Sequence, residues 1–133
     1  MKETKRLHEL IAFEGKEFLI EWYFDSKGES EPLEYFESLD ENEQIKLLTL
    51  FKLIGNTGAI KNKTKFRSEG DKIYAFKPKP HRFLCFFFSG KKIVVTNAFH
   101  KKADKLPLQE KIRALKYKED YESRVKEGNY YDE

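Results

Sequence analysis

The sequence predicts a small α+β domain: a mainly antiparallel β-sheet with a two-helix hairpin packed on one face and a further helix at the C-terminus. Three patterns carry that prediction. Phe18–Phe24 alternates apolar residues with a period of two, as a strand does. Three apolar runs beyond residue 71 are separated by turn residues, the signature of antiparallel neighbours. Elsewhere apolar residues recur at helical spacing behind start signals.

Phe18, Ile20, Trp22 and Phe24 share one face of the first strand and Glu21 lies on the other. Asp25–Ser30 is a loop. Pro32 suits the first turn of a short helix over 32–39, whose Leu33, Phe36 and Leu39 lie on one side. Asp40 with Glu43 three residues on is a capping-box variant, opening a helix over 40–55. Its stripe of Ile45, Leu47, Leu48, Leu50, Phe51, Leu53 and Ile54 is read as packing against the sheet, and Gly55–Gly58 as the stop. Residues 59–71 are polar, basic and turn-rich, a loop with one short strand around Phe66. Lys72–Lys77, Arg82–Phe88 and Lys92–Phe99 follow as strands, the last two joined by a tight Ser89-Gly90 turn. Runs this apolar belong where both faces of a sheet are covered. Pro107 opens the last helix, with Leu108, Ile112 and Leu115 on one stripe and Tyr117, Tyr121 and Val125 on the next.

The 133 residues predict one domain over 1–133, with 1–17 an N-terminal extension and 128–133 a frayed tail. Residues 1–17 read either as a short helix through Leu7, Leu10 and Ile11 or as a continuation of the first strand. Twelve Phe, 7 Tyr and 1 Trp exclude intrinsic disorder. No apolar run is long enough for a membrane span or a secretory signal core. The lone Cys85 permits no intramolecular disulfide, and a reducing cytoplasm is the expected home. Net charge is +3, unevenly spread: −6 over residues 1–60, +13 over 61–118 and −4 over 119–133. A basic block between acidic ends suits a polyanion-binding face or a solvated lysine-rich surface.

Walker-type phosphate loops, GxSxG, HExxH and paired CxxC motifs are missing. His8, His81 and His100 lack metal-ligand spacing, so neither a metal nor a cofactor is expected. What stands out is a series of cations at strand ends: Lys77, Lys79, His81, Arg82, His100, Lys101 and Lys102. Alternation puts Tyr74 and Phe76 on one face with Ile73, Ala75 and Lys77 on the other, and Arg82 with Leu84, Phe86 and Phe88. An arginine opening so apolar a strand is costly to bury alone. Either it pairs with the acidic helices or it faces a cleft that receives phosphate.

The stretches Lys72–Lys77, His81–Phe88 and Lys91–Lys102 together resemble the RelE/ParE toxin superfamily, most closely its HigB-like, phage-associated branch. The corresponding elements here are Phe76-Lys77, Arg82–Phe86, and Ala98-Phe-His-Lys-Lys102 leading to Pro107, with Glu119-Asp-Tyr121 suiting the terminal helix. Lys77 stands where the branch usually has Arg, keeping the charge without the planar fork. Cys85 replaces an aromatic residue and Ala98 a glycine.

The resemblance implies a RelE-like fold and the toxin of a type II toxin–antitoxin pair. Such a toxin is a metal-independent mRNA endoribonuclease, usually ribosome-dependent, in which the 2′-OH attacks the adjacent phosphate. The implied catalytic set is Arg82 and Lys77 clamping the phosphate, His100 carrying a proton, and Lys101 adding charge stabilisation, with Lys102 beside it. Lys79, Lys65, Arg67, His81 and Tyr74 are the further RNA contacts, Tyr74 by stacking on a base. The implied partners are mRNA on the ribosome and a cognate antitoxin, a small helix-turn-helix protein encoded next to it; a membrane is not among them. Two rival readings share the fold: a ParE-like toxin that inhibits gyrase, and a nucleic-acid-binding module without activity.

Overall fold

The chain runs through α1 (Leu7–Leu10), β1 (Ile11–Glu14), β2 (Leu19–Trp22), α2 (Glu31–Glu37), α3 (Glu41–Thr57), β3 (Phe66–Gly70), β4 (Ile73–Phe76), β5 (His81–Phe88), β6 (Lys92–His100) and α4 (Leu108–Lys126). The computed structural model describes residues 7–102 and 105–131, Leu7 and His8 by their backbone alone. The six strands form one sheet in the order β1-β2-β6-β5-β4-β3.

The α+β class is as the sequence predicts, and the sheet is mixed. β2 runs parallel to β6, and the other neighbouring pairs are antiparallel. No hairpin joins β2 to β6, so nothing local dictates their relative direction. The two readings of the N-terminal segment both materialise in sequence: one helical turn, then β1 paired antiparallel with β2. Residues 1–6 lie outside the described part.

Both faces of the sheet are covered, because the strands are apolar on both sides. On one face Ile20, Trp22, Phe76, Phe83, Cys85 and Val95 pack against Leu47, Leu50, Phe51 and Ile54 of α3, with Leu33 and Phe36 of α2 at the edge. On the other, Tyr23, Ile73, Ala75, Leu84, Phe86 and Val94 pack against Ala114 and Tyr121 of α4. Glu21, which the alternation places opposite the first core, is therefore buried as well.

The start signals act as read. Ser30 caps α2, with Pro32 in its first turn. Asp40 and Glu43 complete the capping box of α3, which runs on to Gly58 at φ 88°. Gly55 lies inside the helix rather than stopping it: Gly15 packs so close that a Cβ there would lie 2.2 Å from the Gly55 carbonyl oxygen. At the β5–β6 turn Ser89 and Gly90 both take positive φ, 56° and 69°, as a two-residue hairpin requires.

Three expectations are overturned. Leu108 and Ile112 of α4 face solvent, 71% and 54% exposed, because the helix docks through Ala114 and Tyr121. Ile45, Leu48 and Leu53 of α3 are likewise exposed, so the apolar stripe is wider than the sheet can cover. The tail does not fray as far as residue 131: Tyr130 is buried and its hydroxyl accepts from the Phe24 amide (3.0 Å), and the Tyr131 hydroxyl donates to Glu21 (2.7 Å). Residues 132–133 lie outside the described part.

One irregularity matters for function. Leu84 pairs with Asn97 but Cys85 with Val95, so Thr96 is an extra residue in β6, a β-bulge. Its hydroxyl bonds Asn97 Oδ1 (2.6 Å), and Asn97 Nδ2 donates to the Glu110 carbonyl (3.1 Å). Beyond the bulge every β6 side chain has changed face.

Candidate active site

Arg82 opens β5 opposite Phe99, on the α4 face but beyond the start of that helix. It is 6% exposed, yet its one hydrogen bond among the described residues runs to the neighbouring carbonyl of His81 (3.0 Å). No carboxylate forms an ion pair with it among the described residues, so it is not a strut to an acidic helix. Burial holds its guanidinium below the usual range, with Arg67 pushing the same way and Glu69 opposing.

Lys77, just past β4, is buried too, its ammonium held by the Lys63 carbonyl (3.1 Å). Burial lowers its pKa, and Arg67, Arg82 and Lys101 lower it further. Arg67 reaches this group because it pairs with Ala75 across β3 and β4 and therefore shares the α4 face. Lys101 returns to that face one residue beyond His100, its amide bonded to the Pro80 carbonyl (2.9 Å). Among the described residues four cations thus gather near one carboxylate, Glu69, whose side chain is 10% exposed and bonds Arg67 at 3.3 Å, which leaves the group with an excess of positive charge.

The other candidates lie apart from this group. His81 is a buried clamp on the α2–α3 side: its Nε2 donates to Glu43 (2.7 Å) and its Nδ1 accepts from the Tyr35 hydroxyl (2.8 Å). That bond holds the Glu43 carboxyl below its usual range. His81, expected to touch RNA, is thus tied to Glu43 and Tyr35 inside the fold. His100 pairs with His81 and its ring stands edge-on to it, 5.6 Å between centroids, so it too faces away from Arg82. Unbroken alternation from Ile93 puts His100 with Arg82; the Thr96 bulge reverses this, and no sequence signal marks the bulge. Tyr74 is also on the far face, stacked on Phe66 (5.6 Å) and edge-on to Phe87, so it is packed rather than free to stack on a base. Lys65 and Lys79 are exposed and line a groove beside α3, and Lys102 is exposed past the end of β6.

Glu69 is the residue that sequence reading missed. It sits in the 59–71 segment read mainly as loop, where no period of two assigns it a face. The only available hint was Arg67 two residues earlier, which as a strand neighbour points the same way. Among the described residues no three His, Cys, Asp or Glu converge as metal ligands do, and no helix is long and apolar enough to cross a membrane.

A family model described as Phage derived protein Gp49-like (DUF891) matches residues 34–119, which span the α2–α3 hairpin, the cation group and most of α4. None of the curated proteins matches.

Proposed function

The chain belongs to the phage-derived Gp49-like family, a family of RelE-like toxin proteins, and from that premise we propose that it is the mRNA-cleaving toxin of a type II toxin–antitoxin pair. One observation carries the catalytic part: Arg82 is buried, cationic and without a carboxylate partner among the described residues, beside a second buried cation, Lys77.

Arg82 and Lys77 grip the scissile phosphate, and Arg67, Lys101 and Lys102 hold the flanking backbone. Glu69 takes the 2′-OH proton in the role that His100 is too far round the sheet to fill. The 2′-oxygen bonds to phosphorus and the bond to the 5′-oxygen breaks. Lys77, whose depressed pKa makes it a readier acid, gives that oxygen its proton. The products are a 2′,3′-cyclic phosphate and a 5′-OH end. The doubly charged phosphorane gains most from the clamp, because fixed cations in a buried site need no reorganisation.

The test is to incubate purified protein with translating ribosomes and map mRNA ends together with their terminal chemistry. Cyclic-phosphate ends that fall by about 10²–10³ in rate with Arg82→Ala support the reading. Intact mRNA alongside inhibited gyrase would replace it with a ParE-like activity. Bound but uncut RNA would leave a binding module only.

A further inference from the structure

Beside α3 lies a groove of about 590 Å³, closed on its other side by residues 60–65 and 77–79. Its floor is aliphatic, from Ile45, Leu53 and Ile60, and its rim carries Lys61, Lys65 and Lys79. None of the residues lining it is acidic and none is aromatic. Ile45 and Leu53 are 52% and 44% exposed, a large apolar face left open to water on a helix whose other side is fully packed.

We infer that this groove docks an acidic amphipathic helix of a partner protein. Charge complementarity selects the acidic partner, because lysines ring the groove and no carboxylate answers them. The floor argues against RNA: it offers no ring for a base to stack on, and its cations are lysines without the fork that grips a phosphate. The geometry selects a helix. Ile45, Thr49 and Leu53 follow at i, i+4 and i+8, a ridge of about 12 Å that matches two turns of a partner carrying apolar residues at i, i+3, i+4 and i+7.

The inference rests on the toxin reading in one respect: it names how that activity is restrained. Lys77 lines the groove, and its ammonium, bonded to the Lys63 carbonyl, also belongs to the cation group. A glutamate or aspartate carried in by the docked helix would meet Lys77 and compete with the phosphate.

The probe is a fluorescein-labelled, hydrocarbon-stapled 18-residue helix with leucine at i, i+3, i+4 and i+7 and glutamate on both flanks. A lysine-flanked version and an 18-nucleotide oligouridylate serve as comparisons. Fluorescence anisotropy should show the glutamate helix binding, more weakly as salt rises, and the lysine helix not binding. Leu53→Glu and, separately, Lys61→Glu/Lys65→Glu should each weaken it at least about tenfold. Circular dichroism should be unchanged, since these side chains are exposed. Leu53→Glu should cut mRNA at the wild-type rate, and the glutamate helix should inhibit wild type but not Leu53→Glu. Unchanged helix affinity in Leu53→Glu, no helix binding at all, or loss of oligouridylate binding in its place would each overturn the inference. Helix binding that depends on Leu53 in a protein that cuts no mRNA would leave the groove standing and remove the ribonuclease.

Discussion

The two ends of the α4 face treat buried charge in opposite ways. At the end nearest the C-terminus the buried ions are paired, although Arg124 Nε, 3.4 Å from Asp120, makes no hydrogen bond. Glu21 pairs with Lys92 (3.2 Å) and accepts from Tyr131, Tyr23 donates to Asp120 (2.5 Å), and Arg124 donates to the Phe24 carbonyl (2.8 Å) and faces Asp120. At the other end Arg67, Lys77, Arg82 and Lys101 gather near one carboxylate among the described residues, Glu69. Strand β6 borders both ends. The first end is neutralised by the chain itself, and the second keeps an excess of positive charge among the described residues. The balance of charge among the described residues, more than burial as such, separates the two ends.

Substitutions at the two ends should therefore fail in different assays. The largest effect belongs to Arg82→Ala: cleavage down by about 10²–10³ while the melting temperature holds or rises, since an unpaired buried charge is removed. Arg82→Lys should recover part of the activity, as a point charge replaces the fork. Thermal unfolding and end-mapping on the same preparations check both, and a destabilised but fully active Arg82→Ala would erase the distinction between the ends. Glu69→Gln should follow at about 10² in rate, with mRNA binding retained, measured as single-turnover cleavage against filter binding.

At the finished end, Glu21→Ala takes the counter-charge from Lys92 and the carboxylate acceptor from the Tyr131 hydroxyl, leaving them bonded to each other. Lys92 is 28% exposed, so the loss falls below that of a fully buried pair, about 2–3 kcal/mol or roughly 10 °C in melting temperature. Cleavage per folded molecule should not change. The smallest effect is one of pH. Burial pushes Tyr117 and Tyr121 from 10.0 up to about 12, and Tyr23, Tyr130 and Tyr131 are raised as well. The fold thus favours the neutral phenol. For Tyr117 and Tyr121 that contribution is complete below pH 10 and is lost between about 10 and 12, as the unfolded chain ionises first. Melting curves should drop across that window, with tyrosinate absorbance rising at the unfolding transition and not before it. An early rise would show the C-terminal tail opening independently.

Much of this could be read from residues that report their own surroundings. Asp40 with Glu43, Pro32, Ser89-Gly90 and the alternation through Phe18–Phe24 each act within a few residues, so their consequences are local and visible. The placement of Arg82 and Lys77 was legible for a related reason: a cation at the end of an apolar strand is conspicuous, and two strands of period two fix its face. The remainder depended on tertiary placement. Nothing near β2 announces its parallel pairing with β6, and nothing near Leu108 or Ile112 tells which side of α4 meets the sheet. Tyr130 and Tyr131 looked like a loose end because their partners, Phe24 and Glu21, are more than 100 residues away. Glu69 and His100 were misjudged for the same reason, one hidden in an irregular edge strand and the other turned by a neighbour four positions back.

That neighbour, Thr96, makes the tip of β6 a matter of spacing. Cross-strand partners share a face, so Leu84 points with Asn97 and Cys85 with Val95, and Thr96 between them is the residue the pairing does not need. Deleting it would leave regular alternation from Val95 to Asn97, with His100 still opposite His81. Deleting Ala98 instead would turn His100 to the side of Arg82 and carry Phe99 from one core into the other. The strand thus holds one slack residue, and a one-residue change is harmless or ruinous according to which side of it falls.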